Sequence, residues 1–376
     1  MTSPTALPLR GTIVVDVSRM LPGAVASRML ADLGARVIKI EEPGAGDPMR
    51  TAPPLVDGVG AVFCAFYRGA ESVCLDLKEP AGAAAFCDLS GSAHVLIESF
   101  RPGTLDRWGA GPEKLLLIHP GLVVCSLSGF GNRAPDAAGV AHDINLVAWS
   151  GLLSLLPGGG VPRIQMADVA AGLMACSAVL AALLGRERSG RGGWIDQPLS
   201  GGPMPFLTLP MAEAAGGGGG FAENCLGGAC PSYRLYTCGD GARLAVGAVE
   251  TKFWVEFVRL LELSDLAERG WDRGAAGREV AESVERKLEQ RPRAHWLALF
   301  RGRGLPVTAA HELQDALDDL RSAGWIEETP VPGGGTLALP APYLRSLGVT
   351  PARPAPRLGE HTASILEEFG LARPGL

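Results

Sequence analysis

Residues 11–40 read as strand, helix, strand, and this single pattern restricts the fold more than any other feature of the chain. The run Gly-Thr-Ile-Val-Val-Asp-Val at 11–17 is rich in β-branched residues and short, as a buried strand is. Residues 22–33 carry apolar side chains at helical spacing, and 36–40 return to a strand. A buried strand that crosses through a helix to a second buried strand is a βαβ unit, the start of a parallel sheet that needs helices on both faces. The pattern repeats. Strands are expected at 72–75, 94–98 and 122–126, with helices at 80–89, 105–108 and 112–119 between them. The expected class is therefore α/β, with a Rossmann-like, doubly wound large domain. A dinucleotide-binding version would carry G-x-G-x-x-G after its first strand. Here the residues are Ser18-Arg19-Met20-Leu21-Pro22-Gly23, with one glycine, which argues against a nicotinamide dinucleotide as ligand.

Helical patterning resumes at 146–155 and 168–188, followed by the polar link 189–193 and a short strand at 194–196. Past Gly220 the composition changes. Residues 232–238 and 243–249 read as a hairpin turned by Gly239-Asp240-Gly241, with helices at 253–261, 278–289 and 293–300. The expected layout is a large domain over 1–200, a Gly-rich linker over 201–225 that includes Gly216 to Gly220, a smaller α+β domain over 226–330, and a C-terminal segment over 331–376 that returns to the large domain. Its last part is Pro-rich and ends in a short helix at 362–369. Two domains suit 376 residues of which 47% are hydrophobic.

The charge balance narrows the function class. A formal net charge of −6 argues against a nucleic-acid partner. The eight cysteines form no C-x-x-C pair, and several lie inside apolar runs, so reduced, buried thiols and no metal site are expected. Residues 1–10 lack the layout of a signal peptide. The most apolar stretch, 169–184, is shorter than the ~20 residues of a membrane span and reads as a buried helix. A soluble, cytoplasmic protein without a membrane partner is expected.

Three residues stand out as candidates for chemistry. His142 lies in Ala141-His142-Asp143-Ile144-Asn145, Asp168 opens a helical run, and Glu250 follows a strand. One imidazole and two carboxylates at the edges of regular elements are groups that move protons. The plain alternatives are a hydrogen-bonded structural histidine, an aspartate that only caps its helix and a first-turn glutamate. Lys39, Arg50, Lys78, Arg101 and Arg107 all fall in or near loops of the α/β half. There they are either solvated surface charges or partners for phosphate groups.

Five segments in order resemble the family III CoA-transferases (CaiB/BaiF type), and within them the alpha-methylacyl-CoA racemase branch. They are Leu30 to Glu41 followed by Gly46-Asp47, Leu75-Asp76-Leu77-Lys78, Leu96-Ile97-Glu98-Ser99-Phe100-Arg101-Pro102-Gly103, Ser126-Leu127-Ser128-Gly129-Phe130-Gly131, and Pro354 to Thr362. The resemblance implies an acyl-CoA enzyme with no bound cofactor, CoA entering as part of the thioester substrate. It implies a CoA-facing set of Lys78, Ser99, Phe100, Arg101 and Arg107, with Lys39 and Arg50. It also implies an interlocked homodimer with shared active sites. For the racemase branch it implies epimerisation at C2 of a 2-methylacyl-CoA, with His142 paired to Glu250 and Asp168 working from the other side of the substrate. There the dipole of its helix would stabilise the Asp168 anion, and backbone N–H groups of the same helix end would serve the enolate oxygen. The alternative is CoA transfer between carboxylic acids through an aspartyl-CoA thioester on Asp168. The chain departs from the family pattern at Glu41-Glu42-Pro43, where many relatives carry an arginine after the acid that closes the second strand.

Overall fold

The computed structural model describes residues 7–132, 139–217, 224–348 and 353–372. The chain divides into two compact units, Met1–Phe206 with Arg321–Leu376, and Leu207–Leu320.

In the first unit, β1 (Ile13–Asp16), α1 (Leu21–Asp32) and β2 (Arg36–Glu41) form the opening βαβ. Gly34, at φ 100°, makes the turn from helix to strand, a backbone conformation that suits glycine. A small antiparallel hairpin, β3 (Leu55–Val56) with β4 (Val59–Gly60), leads to α2 (Ala61–Phe66). Then come β5 (Glu71–Cys74), α3 (Pro80–Gly91), β6 (Val95–Glu98), α4 (Thr104–Arg107), α5 (Pro112–Ile118) and β7 (Val123–Ser128). After α6 (Asp143–Trp149) and α7 (Met166–Ser189), β8 (Gly193–Pro198) completes a six-stranded sheet in the order β5-β2-β1-β6-β7-β8, every pair parallel. Counted along the chain, its strands lie 3-2-1-4-5-6, the Rossmann order.

Alternate residues of each strand face opposite layers. Val14, Val95 and Val123 pack with Leu30 of α1 and with Ala175 and Val179 of α7, while Val15, Leu96 and Val124 pack with Phe86, Leu115 and Ile365. Each fully buried Val, Leu, Ile or Phe contributes about 1.5–3 kcal/mol. The α1–α7 crossing depends on Gly172, where a Cβ would lie 2.6 Å from the Pro22 carbonyl oxygen and 2.7 Å from Val25. Alanine there would push the two helices apart. The apolar stretch expected at 169–184 is thus the middle of a longer helix. At 24 residues α7 is long and apolar enough to cross a membrane, and in this fold its buried face packs on α1.

The chain's C-terminal segment returns to the edge strand β5. The Ser72 N–H donates to His361 Nδ1, the His361 N–H to the Ser72 carbonyl, and the Cys74 N–H to Thr362 Oγ1. These bonds cover backbone groups that an open edge would expose. Helix α13 (Thr362–Glu368) follows.

Two expected boundaries differ. The segment expected as a Gly-rich linker over 201–225 contains a helix, α8 (Met204–Ala215), because its first half is apolar and glycine-free; Gly218 to Gly220 lie outside the described residues. The second unit also ends before 330. The hairpin β12 (Ile326–Pro330) with β13 (Thr336–Pro340) belongs to the first unit, where Arg68 donates to Thr329 Oγ1 at 3.0 Å and to the Pro340 carbonyl at 2.9 Å and pairs with Glu327 at 3.0 Å.

The second unit holds an antiparallel sheet in the order β11-β10-β9, from β9 (Tyr233–Thr237), β10 (Arg243–Gly247) and β11 (Val307–Ala310). Helices α9 (Thr251–Leu260), α10 (Gly274–Leu288) and α11 (Arg293–Phe300) supply Trp254, Phe257, Val284, Trp296 and Phe300 to its core. Helix α12 (Leu313–Ser322) leads out. The expectation of reduced cysteines is corrected at two positions: Cys225 and Cys230 form a disulfide. A short turn, in which Asn224 Oδ1 accepts the Leu226 N–H at 2.8 Å, folds the five-residue interval back on itself. The other six cysteines are free.

Candidate active site

The motif His142-Asp143-Ile144-Asn145 is explained by two helix starts. Asn145 caps its own helix, α6, accepting the His142 N–H at 3.0 Å. Asp143 reaches from α6 to the start of α7, where Oδ1 accepts the N–H groups of Ala167 at 2.7 Å and Asp168 at 3.0 Å. The residue before α7, Gln165, provides no side-chain cap, so these two N–H groups would otherwise lack acceptors. The aspartate that caps α7 is therefore Asp143.

Asp168 is left with no hydrogen-bond donor to its carboxylate among the described residues, and it is half-buried. Burial pushes its pKa up from the ordinary 3.8 to about 6, the negative charge of Asp143 pushes the same way, and His142 opposes them. This corrects two expectations. Asp168 is not a stabilised anion at the helix start, because burial and the charge of Asp143 raise its pKa. The Ala167 and Asp168 N–H groups are not open to an enolate oxygen, because Asp143 occupies them. His142 itself is exposed, as is Glu250, which lies in the second unit at the residue before α9.

A second set of residues gathers at the carboxyl ends of the sheet strands, where α/β folds bind ligands. The sheet order reverses between β1 and β6, and here the Arg19 N–H donates to Ser99 Oγ at 2.8 Å. The Arg19 guanidinium lies 5.6 Å from the centre of the Phe100 ring, which meets Trp108 edge to face at 5.1 Å. Arg19, Phe100 and Trp108 line a pocket with Leu75, Lys78 and Glu42. Glu42 pairs with Arg19 at 3.0 Å and with Lys78 at 2.5 Å. Arg101 is exposed and lines a neighbouring cavity of about 230 Å³ with Glu98, Asp106, Asn132 and Trp194. Arg107, also exposed, donates to Thr104 Oγ1 at 3.0 Å.

Neither Lys39 nor Arg50 is an open cation here, although Lys39 lines the same pocket from within. Lys39 is 1% exposed, between Asp16 at 3.5 Å and Asp47 at 3.2 Å, and its ammonium donates to the Ser18 carbonyl. Arg50 is buried, holds both oxygens of Glu41 at 2.6 and 2.7 Å, and lies over Phe63. Both charges are neutralised inside the protein. Pattern reading treats a Lys or Arg near a loop as exposed, and only the tertiary partners reveal otherwise.

Glu98 lies in one of the five resembling segments, but no local pattern marked it as a perturbed acid. It is 4% exposed, and burial pushes its pKa up to about 7 although the Phe100 N–H and the Ser126 hydroxyl donate to it. Among the described residues no three or more His, Cys, Asp or Glu side chains are gathered as a metal ion would require.

Comparison with known proteins fixes the family. The model of CoA-transferase family III matches residues 9–362. The chain belongs to CoA-transferase family III. It is 31% identical to the mouse succinyl-CoA:glutarate CoA-transferase over 96% of this chain and 86% of that protein, and 32% identical to the human alpha-methylacyl-CoA racemase over 97% and 94%. The crystal structure of a CaiB/BaiF family protein from Brucella suis superposes with a TM-score of 0.82 at 27% identity, covering 97% of this chain and all of that one. Family III thus brings both transferases and racemases to nearly equal similarity with this chain.

Proposed function

We propose that this family III member transfers coenzyme A between carboxylic acids, with Asp168 as the carboxylate that carries it. The observation behind this reading is the state of Asp168. A half-buried carboxylate that accepts no hydrogen bond from the described residues and is repelled by Asp143 is poorly stabilised as an anion, yet with a pKa of about 6 it is mostly ionised at neutral pH. An ionised, under-solvated oxygen is a better nucleophile than a capped one. The similarity to succinyl-CoA:glutarate CoA-transferases supports the same choice.

The steps balance without a net proton. An Asp168 oxygen attacks the thioester carbonyl, the C–S bond breaks, and CoA leaves as thiolate from an acyl-aspartyl anhydride. The thiolate attacks Cγ of Asp168, and the donor acid departs as carboxylate, leaving an aspartyl-CoA thioester. The acceptor carboxylate attacks Cγ and expels the thiolate, forming a second anhydride. The thiolate then attacks the acceptor's carbonyl carbon, which yields the new thioester and restores Asp168. The CoA portion is held by Lys78, Ser99, Phe100, Arg101 and Arg107, with Arg19 added to that set.

A second reading, epimerisation at C2 of a 2-methylacyl-CoA, is favoured by one observation: the charge of His142 acts on Asp168, so an imidazole and a carboxylate share one neighbourhood. A homodimer belongs to the proposal as well. Val169, Leu173 and Leu184 on α7 and Leu209 and Met211 on α8 are apolar and exposed in the single chain, as surfaces that a second copy covers. One incubation in D2O separates the chemistries. Succinyl-CoA with glutarate should yield glutaryl-CoA, and hydroxylamine should leave a hydroxamate on Asp168. A 2-methylacyl-CoA that takes up α-deuterium with no acceptor present, while no transfer occurs, would overturn transfer in favour of epimerisation.

A further inference from the structure

We infer that Glu42 determines how this pocket reads the ribose phosphate of its nucleotide ligand, and that it holds down the affinity the 3′-phosphate of CoA would otherwise gain. The inference rests on the acyl-CoA reading above. In dinucleotide-binding sheets ordered 3-2-1-4-5-6, the carboxyl end of the second strand faces a ribose of the ligand, and the same place in this sheet carries Glu42. An acid there accepts from ribose hydroxyls and repels a ribose phosphate, whereas a cation there welcomes the phosphate.

This chain has both kinds of group in one place. Glu42 follows the last residue of β2, Arg19 follows β1 and Lys78 follows β5, and all three line the same pocket. The carboxylate divides itself between them, Oε2 to Arg19 at 3.0 Å and Oε1 to Lys78 at 2.5 Å. Hydrogen bonding from Lys78, with the charge of Arg19 assisting, holds the Glu42 carboxyl below its ordinary range, so it is a full anion at neutral pH. Each of the two cations that a phosphate would use thus has an anion already against it.

The arrangement is a poised one. Side-chain exposure is 31% for Glu42, 44% for Arg19 and 61% for Lys78, so all three sit at the rim, where single ion pairs are weak and rearrange readily. A ribose phosphate can displace the carboxylate, but it then sits beside a negative charge that remains in the pocket. A ribose without the phosphate meets no such opposition and finds in Glu42 an acceptor for its hydroxyl groups. Discrimination between the two ligands is therefore small in this protein, and it grows when the carboxylate is removed.

The test measures binding of CoA and of 3′-dephospho-CoA by titration calorimetry to the full-length wild-type protein, to Glu42→Gln and to Glu42→Gln/Lys78→Ala, at low and at physiological salt. The wild type should bind the two ligands within about threefold of each other, since two exposed, opposed pairs offer little net preference. Glu42→Gln should bind CoA about five- to tenfold more tightly, as expected for releasing two exposed pairs, with 3′-dephospho-CoA nearly unchanged. Adding Lys78→Ala should abolish the gain, and salt should shrink it. An equal change for both ligands in Glu42→Gln, or none for either while both still bind, would overturn the inference and leave the acyl-CoA reading intact. Failure of the wild type to bind either ligand would overturn both.

Discussion

Replacing Asp168 by asparagine should abolish transfer and at the same time make the protein more stable at neutral pH. The stability gain follows from the sign of its pKa shift. Folding raises Asp168 from 3.8 to about 6, so the folded protein holds the proton more tightly than the unfolded chain does. Below pH 3.8 the group is protonated in both states and carries no penalty. As pH rises through 6 the folded state must accept an anion that burial and Asp143 disfavour, and stability is lost. A shift of that size corresponds to about 3 kcal/mol for a fully desolvated group, and the remaining exposure of Asp168 reduces the expectation to about 1–2 kcal/mol. Asparagine resembles the protonated carboxyl, so Asp168→Asn should recover that amount at pH 8 and nothing near pH 3.5. Thermal unfolding followed by circular dichroism at pH 8, 6 and 4 should show a melting-temperature gain of roughly 2–5 °C at pH 8 that fades toward pH 4. A variant no more stable than wild type at pH 8, or one whose gain persists unchanged at pH 4, would refute the account of Asp168 as a desolvated carboxylate.

Asp143→Asn removes the charge that pushes Asp168 up but keeps an oxygen for the Ala167 and Asp168 N–H groups, so the acidic limb of the kcat/KM profile should move to lower pH; an unmoved limb would show that Asp168 does not feel this charge. Glu98→Gln should stabilise the protein at pH 8 by about 1–3 kcal/mol, because burial holds Glu98 near 7 against an ordinary 4.5, and the gain should disappear below pH 4.5 in the same unfolding assay. Arg101→Ala should weaken CoA binding by about three- to tenfold at low salt and less at high salt, as titration calorimetry would show.

The sheet was legible because its central strands are apolar runs bounded by turn residues and the crossovers between them repeat the helical period. What escaped the sequence was what depends on partners far along the chain. Lys39 and Arg50 read as loop cations, yet Asp16, Asp47 and Glu41 neutralise them in the interior. Met204–Ala215 read as linker because glycines flank it, although its own residues favour a helix even with Pro210 inside. Residues 326–330 read as the end of the second domain, and only the anchoring of their hairpin by Arg68 assigns them to the first. In each case local pattern identified or allowed the element, and a contact between distant segments decided its role.

The candidate site shows the same division more sharply. His142 and Asp168 attract notice as isolated residues, while the raised pKa of Asp168 comes first from burial and then from Asp143, an unremarked member of the His142 motif. A single carboxylate there does two things: it satisfies the first N–H groups of α7, and by doing so it brings a negative charge next to Asp168 and frees that residue from capping. Had Asp168 capped its own helix, donors would have held its carboxylate down and weakened it as a nucleophile. In the proposed transfer, moving the cap one helix away leaves Asp168 free to act as the nucleophile. On that proposal, the spacing between the His-Asp-Ile-Asn motif and the start of α7 matters to transfer as much as Asp168 does, because it sets which carboxylate caps the helix.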